Sequence, residues 1–231
     1  MLPGEAFLRQ NVPGFAILDP AVPMQLPLEA RDFGIYVGFL TLWGYIWLLG
    51  RGRAKGMPKP WMMVTLILFV GIMGVDGLNA FFYDLQVIPH LYTPRLELRL
   101  ATGLLCGFAF AGLLVPVVDF SLWRENDMRP ILDNWKHFAG GLVLLAVLFA
   151  LNASEIGIFF WPLAILTSAS TIILIALINL VFVISIFGKS ASAINWRDAL
   201  NPFAAGVLLS IVELGALSLL RFAVLGTAVL P

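Results

Sequence analysis

The chain has 231 residues and a formal net charge of zero; 60% of its residues are hydrophobic and only 12% are charged. Soluble domains carry roughly twice that charged fraction, and the balanced charge gives no support to nucleic-acid binding. The apolar residues come in long runs, and a helix that is apolar on all sides lies in a large core or in lipid. Composition therefore predicts an all-α, polytopic transmembrane helical bundle of about six spans, with short interfacial helices.

Residues 1–32 precede the first apolar run and are rich in proline, which prevents a long helix. We predict an extracytoplasmic arm that lies on the membrane surface. The segment has no basic stretch followed by an apolar one, so we expect no cleavable signal peptide.

Six apolar runs follow the arm, and most approach the about 20 residues that cross roughly 30 Å of hydrocarbon. The predicted spans are 33–50, 61–82, 98–118, 137–152, 158–187 and 203–228. They divide the chain into a three-span core at 33–118, a cytoplasmic interfacial loop at 119–136 and three further spans at 137–231.

Lysine and arginine are concentrated in the loops after spans one, three and five. These loops carry nine basic residues, whereas the segments on the opposite side carry four. By the positive-inside rule, the basic loops face the cytoplasm. We therefore predict a multi-pass protein of the inner cell membrane with both termini extracytoplasmic.

Two of the basic loops look amphipathic. In the first, Met128, Ile131, Leu132 and Trp135 would share one face of a helix, which is typical of an interfacial helix. A shorter helix is possible at 193–200. Each would be either a connector that rests on the membrane or a docking surface for a partner.

Ionisable residues inside spans are costly and are therefore candidates for function. Asp76 in span two and Arg99 in span three lie at the outer level of antiparallel neighbours, so an Asp76–Arg99 pair is expected. It would either fix the packing of the first three spans or belong to a polar pocket for an anion, a lipid headgroup or a quinone-like group. Other residues at this level are Arg31, Tyr36, Asn79, His90 and Arg95.

Span six carries two more ionisable residues, Glu213 near the midplane and Arg221. They are about 12 Å apart along the helix axis, too far for direct pairing. Glu213 would either hydrogen-bond to a neighbouring helix, where Asn179 is a natural partner, or form one step of a proton or ion path. Asp119, at the inner edge, is less informative.

Glycine patterns predict close helix contacts. Gly34 and Gly38 form one GxxxG pattern and Gly103 and Gly107 another, while glycine recurs every third residue over 71–77. These patterns favour tight packing of spans one, two and three. The common catalytic and nucleotide-binding motifs are not found, so nothing nominates an enzyme and no cofactor is predicted.

Three stretches of the sequence carry a family resemblance: EARDFGIYVGF, GVDGLN and RLELRLATGLLCG. They resemble an uncharacterised family of bacterial predicted membrane proteins, a domain of unknown function, over about residues 27–112. The family-type residues are Arg31, Gly34, Tyr36, Gly38, Asp76, Gly77, Asn79, Arg99, Thr102 and Gly103.

The sequence departs from this family where paired cysteines are typical, because Glu29 and Asp32 stand in their places. A thiolate site is therefore not expected. We predict no metal site; Glu29 and Asp32 are only weak candidates as ligands of a hard cation. Since the family's own function is unknown, the resemblance implies architecture more than activity.

These observations leave three functional hypotheses. The first is a non-catalytic accessory or scaffold subunit of a larger membrane complex, which contacts lipids and protein partners and could hold a lipid or cofactor tail. The second is a small ion or solute transporter that uses Asp76, Arg99 and Glu213. The third is a lipid-modifying enzyme at the outer face.

Overall fold

The computed structural model describes residues 28–85, 91–125, 127–154, 159–188 and 190–225. These ranges are helical and contain no strand, which confirms the predicted all-α class. The helices are α1 (Ala30–Leu48), α2 (Pro60–Leu85), α3 (Leu96–Leu122), α4 (Trp135–Ala153), α5 (Phe160–Ile186) and α6 (Trp196–Leu225). Each predicted span coincides with one helix. Most of the predicted arm lies outside the described residues, and its last three residues, from Ala30 onward, already belong to α1.

Five helices, α2 to α6, contain a segment long and apolar enough to cross a membrane. The exception is α1, which has 19 residues and carries Arg31 and Asp32 in its first turn. This helix packs against α3, α4 and α5. Because protein covers much of its surface, α1 needs less apolar character than a helix that faces lipid.

The closest helix pair is α1 with α3, and glycine makes the approach possible. A Cβ atom at Gly34 would lie 2.7 Å from the Leu100 carbonyl oxygen, and one at Gly38 would lie 2.6 Å from the Leu104 carbonyl oxygen. A Cβ at Gly107 would collide with the backbone of Ile35. Two GxxxG patterns therefore face each other, as small residues do where helix backbones meet.

Two of the three glycines in the α2 repeat make no close helix contact. A Cβ at Gly71 or Gly74 would meet no atom within 4 Å, so the prediction of a close helix contact there is wrong. Instead α2 approaches α3 where Leu66 lies over Gly112.

The three basic loops lie together at one end of the bundle, as the sequence predicted for loops on one side of the membrane. Gly56 in the first loop exchanges backbone hydrogen bonds with Arg129 and Ile131 in the second. Ala193 in the third loop pairs with Leu122 and Arg124. The loops therefore form a linked layer over this end.

The second loop contains no amphipathic helix, and that prediction is wrong. Its described residues between the end of α3 at Leu122 and the start of α4 at Trp135 are non-helical. Ile131 and Leu132 are buried, whereas Met128 is 58% exposed. Backbone pairing with the first loop replaces the helical hydrogen bonds, so Ile131 and Leu132 are buried while Met128 is not.

The last helix begins seven residues before the predicted span, so no separate short helix forms at 193–200. Trp196 starts α6, which continues through Pro202 at its seventh position, where the proline removes one internal hydrogen bond. This helix packs mainly against α5. Only 11% of its most apolar segment is buried, which leaves most of α6 facing outward.

The glycine contacts lead to a stability prediction. Gly107→Ala should lower the free energy of unfolding by about 1 to 3 kcal/mol, because the added methyl group forces α1 and α3 apart. Gly44→Ala is the matched control, since a Cβ there meets nothing within 4 Å. Alanine also favours helix over glycine, so the control should be neutral or slightly stabilising. Unfolding in mixed micelles measures both, and equal effects would contradict the packing.

Candidate functional site

A polar cluster lies where α1, α2 and α3 meet, at the end of the bundle opposite the basic loops. Asp76 of α2 is at its centre and is 2% exposed. Its Oδ2 atom accepts a hydrogen bond from Arg31 at 2.7 Å and one from the Thr102 hydroxyl at 3.3 Å. Its Oδ1 atom accepts one from the Tyr92 hydroxyl at 2.7 Å. Each carboxylate oxygen is therefore satisfied.

The cation that neutralises Asp76 is Arg31, not Arg99, so the expected Asp76–Arg99 pair is wrong. Arg31 lies in the first turn of α1 and its side chain is 21% exposed. Arg99 occupies the same level on α3, but its Nε atom is buried without a hydrogen-bond partner in the described residues. The close α1–α3 contact brings Arg31 to the carboxylate, and sequence spacing between α2 and α3 alone gave no sign of it.

Asn79, one turn after Asp76 on α2, fixes the segment that leads into α3. Its side chain accepts a hydrogen bond from the Leu91 amide at 2.7 Å and donates one to the Tyr92 carbonyl at 2.9 Å. Tyr92 is thereby positioned over Asp76. Burial and the hydrogen bond to the carboxylate raise the pKa of Tyr92 to about 12. This residue was missed in the sequence because a lone loop tyrosine carries no signal.

The remaining predicted residues are not part of the hydrogen-bonded cluster. Tyr36 is half-buried and packs against the hydrophobic core, and Arg95 is exposed as the residue that precedes α3. His90 lies outside the described residues. Glu29 and Asp32 are both exposed, and no group of three or more potential metal ligands occurs in the described ranges.

A second polar site joins α5 and α6. The Asn179 amide donates hydrogen bonds to Glu213 Oε2 at 2.8 Å and to the Ser210 hydroxyl at 3.3 Å. Asn179 and Ser210 are buried, whereas Glu213 is exposed. The expected contact of Glu213 with a neighbouring helix is therefore present, and the same carboxyl group also reaches the outer surface of the bundle. Arg221 is half-buried further along α6.

A cavity of about 270 Å³ lies at the basic-loop end, between α1, α3, α5 and α6. It is lined by Trp43, Trp47, Trp123 and Trp196 and by Asp119. Trp123 donates its indole N–H to Asp119 Oδ1 at 3.1 Å. These four tryptophans come from three distant parts of the sequence, and only the fold shows that they surround a space.

Double-mutant cycles can separate the two possible partners of Asp76. Asp76→Asn combined with Arg31→Gln should show a coupling of about 1 to 3 kcal/mol in unfolding free energy, because one buried ion pair is removed by either change. The cycle with Arg99→Gln is the control and should show coupling within about 0.5 kcal/mol of zero. Stronger coupling to Arg99 would contradict the geometry.

The raised pKa of Tyr92 gives a pH prediction. Since the folded state holds the phenol proton up to about pH 12 and an unfolded tyrosine loses it near pH 10, stability should fall between these values. The loss should be smaller in Tyr92→Phe, which has no proton to lose. Unfolding in micelles at a series of pH values measures it. A difference absorbance titration, wild type minus variant, should show one late-titrating phenol. A midpoint near pH 10 would rule out the hydrogen bond to Asp76.

One comparison with known proteins matches the part of the chain that contains the Arg31–Asp76 cluster. Residues 22–113 match the family model described as "Predicted membrane protein (DUF2085)". No match was found among the curated proteins or among the solved structures. The matched segment includes α1, α2, most of α3 and the whole Arg31–Asp76 cluster. It supports the resemblance seen in the sequence: this segment is similar to an uncharacterised family of predicted membrane proteins.

Proposed function

We propose that the protein is a non-catalytic subunit of a larger membrane complex and that α6 docks a transmembrane helix of a different protein. The observation that carries the proposal is the position of Glu213. It lies in the middle third of a membrane-spanning segment, on an exposed helix surface. A charged side chain at the centre of a lipid-facing helix costs about 2.5 to 3.5 kcal/mol on insertion scales, so such residues normally face protein.

The surroundings of Glu213 support a docking stripe. Leu209, Glu213 and Leu220 are spaced by four and seven residues, which places them along one flank of α6. Leu209 is 38% exposed and Leu220 is 61% exposed. Asn179 occupies one carboxyl oxygen of Glu213. A polar contact flanked by leucines is suited to a partner helix that packs along the stripe.

Charge favours a different protein over a second copy as the occupant. Two copies with the same membrane orientation, related by a twofold axis, would place Glu213 opposite Glu213. Like charges repel strongly in a medium of low dielectric constant. The fitting partner is a helix that carries a lysine, an arginine or a hydrogen-bond donor at the depth of Glu213.

The two polar sites do not favour the transporter hypothesis. Asp76 is enclosed by Arg31, Tyr92 and Thr102, and α6 packs mainly against α5 rather than against the helices of that cluster. An inner-membrane location with extracytoplasmic termini remains part of the proposal, supported by the nine basic residues of the predicted cytoplasmic loops.

The proposal predicts a partner at one flank of α6. A photo-crosslinking residue at position 220 in native membranes should give one adduct with a different membrane protein. That protein should carry a donor at the depth of Glu213. Glu213→Leu should lower the yield at least about tenfold, because one member of a buried polar pair is lost. Electrophoresis and mass spectrometry of the adduct give the measurement.

Position 211 is the control for the crosslink, because Ile211 is 53% exposed on another side of the same helix. It should give lipid adducts only. Adducts at position 220 with lipid alone, or only with another copy of the chain, would overturn the proposed occupant.

A further inference from the structure

We propose that the tryptophan-lined cavity binds an apolar amine whose nitrogen pairs with Asp119. Here the tryptophan-lined cavity is the space of about 270 Å³ bordered by Trp43, Trp47, Trp123, Trp196, Asp119 and Ala199. It is separate from the Arg31–Asp76 cluster and from Glu213, so it does not depend on the proposed α6 docking.

The first observation is an unsatisfied carboxyl oxygen. Asp119 is 4% exposed. Trp123 bonds its Oδ1 atom, but its Oδ2 atom is buried without a hydrogen-bond partner in the described residues. A buried polar atom without a partner costs about 1 to 3 kcal/mol. Asp119 borders the cavity, so a rotation of its carboxyl group would let a ligand there supply the missing N–H or O–H donor.

The second observation is the nature of the wall. Trp196 lies against Trp47 and Trp123, with ring centroids 5.2 and 4.8 Å apart. Leucine, valine, alanine and phenylalanine side chains form much of the rest. Indole faces attract organic cations through the ring quadrupole, and an apolar wall with one polar group is typical of small-molecule pockets. The wall thus suits a hydrocarbon body with one cationic end.

The basic residues near Asp119 are already engaged. Arg53 pairs with Glu125 at 3.3 Å and stacks on Trp123 at 4.1 Å. Lys55 donates to the Trp123 carbonyl oxygen at 2.7 Å. Neither makes a hydrogen bond to Oδ2. An ammonium ion and a carboxylate form an ion pair. A neutral amine and a protonated carboxyl group form the same pair once the proton moves from oxygen to nitrogen. Binding an amine there therefore adds a charge-assisted hydrogen bond and leaves no unpaired charge.

One ligand chemistry, an alkylammonium group, has two possible sources. It could be the headgroup of an ethanolamine phospholipid, whose tails would remain in the bilayer, or a free amphiphilic amine. The hydrogen bond to Asp119 is the same in both cases. Competition between the two sources distinguishes them.

The test uses the full chain in maltoside micelles and three probes of matched length: hexylamine, 1-hexanol and hexanoate. Tryptophan fluorescence reports binding, since four of the seven tryptophans border the cavity. We expect saturable binding of hexylamine, at least about tenfold tighter than that of hexanol, because its hydrogen bond is charge-assisted. Hexanoate should bind most weakly.

Asp119→Asn should remove the preference for hexylamine over hexanol, whereas Glu97→Gln, an exposed change on the same helix, should leave it intact. If Asp119→Asn fails to fold, Ala199→Leu decides, because it fills the cavity without changing a charge and should weaken hexylamine binding at least about tenfold. Displacement of hexylamine by added phosphatidylethanolamine would identify the lipid as the source, and binding without displacement would identify a free amine. Equal affinity for hexylamine and hexanol, a preference for hexanoate or no saturable binding would overturn the proposal.

Discussion

The enclosed carboxylate of Asp76 sets the arrangement of the first half of the bundle. A carboxylate that is 2% exposed requires both a cation and hydrogen-bond donors. Arg31, Tyr92 and Thr102 supply them from α1, from the segment before α3 and from α3 itself. Three parts of the chain must therefore be in register at once: removing Arg31 leaves the buried carboxylate without its cation, and removing Tyr92 leaves Oδ1 without a donor.

The glycine contact between α1 and α3 makes that register possible. Arg31 reaches Asp76 only if the start of α1 lies directly against α3, and the backbone of Arg31 itself touches Gly103, where a Cβ atom would have no room. Gly77 faces the Arg31 guanidinium: a Cβ atom at Gly77 would lie 3.7 Å from the Arg31 Nη1 atom. Dense packing and ion pairing are thus two parts of one junction. This explains why α1, the one described helix without a segment apolar enough to cross a membrane, can remain inside the bundle: Asp76 neutralises Arg31.

Much of this fold follows from the sequence, but the partners do not. Long apolar runs determine six helices, and the facing GxxxG patterns indicate α1–α3 packing, because both are properties of local sequence. The choice of Arg31 over Arg99 depends on where a helix end lies in three dimensions. The loop after α3 shows the opposite failure: its helical pattern of apolar residues is real, but pairing with residues near Gly56 competes successfully for its backbone. The space around Asp119 depends on four helices and has no linear signature.

Three carboxyl groups of the bundle differ in how fully other protein groups satisfy them. In the segment that matches the family model, the Asp76 carboxylate has all the donors it needs. Beyond it, Asp119 Oδ2 has no donor and Glu213 is exposed in the middle of a span. In the two proposals above, Asp119 and Glu213 are the groups that meet molecules from outside the chain, while α1 and α3 of the family-like segment pack against α5, which in turn packs against α6.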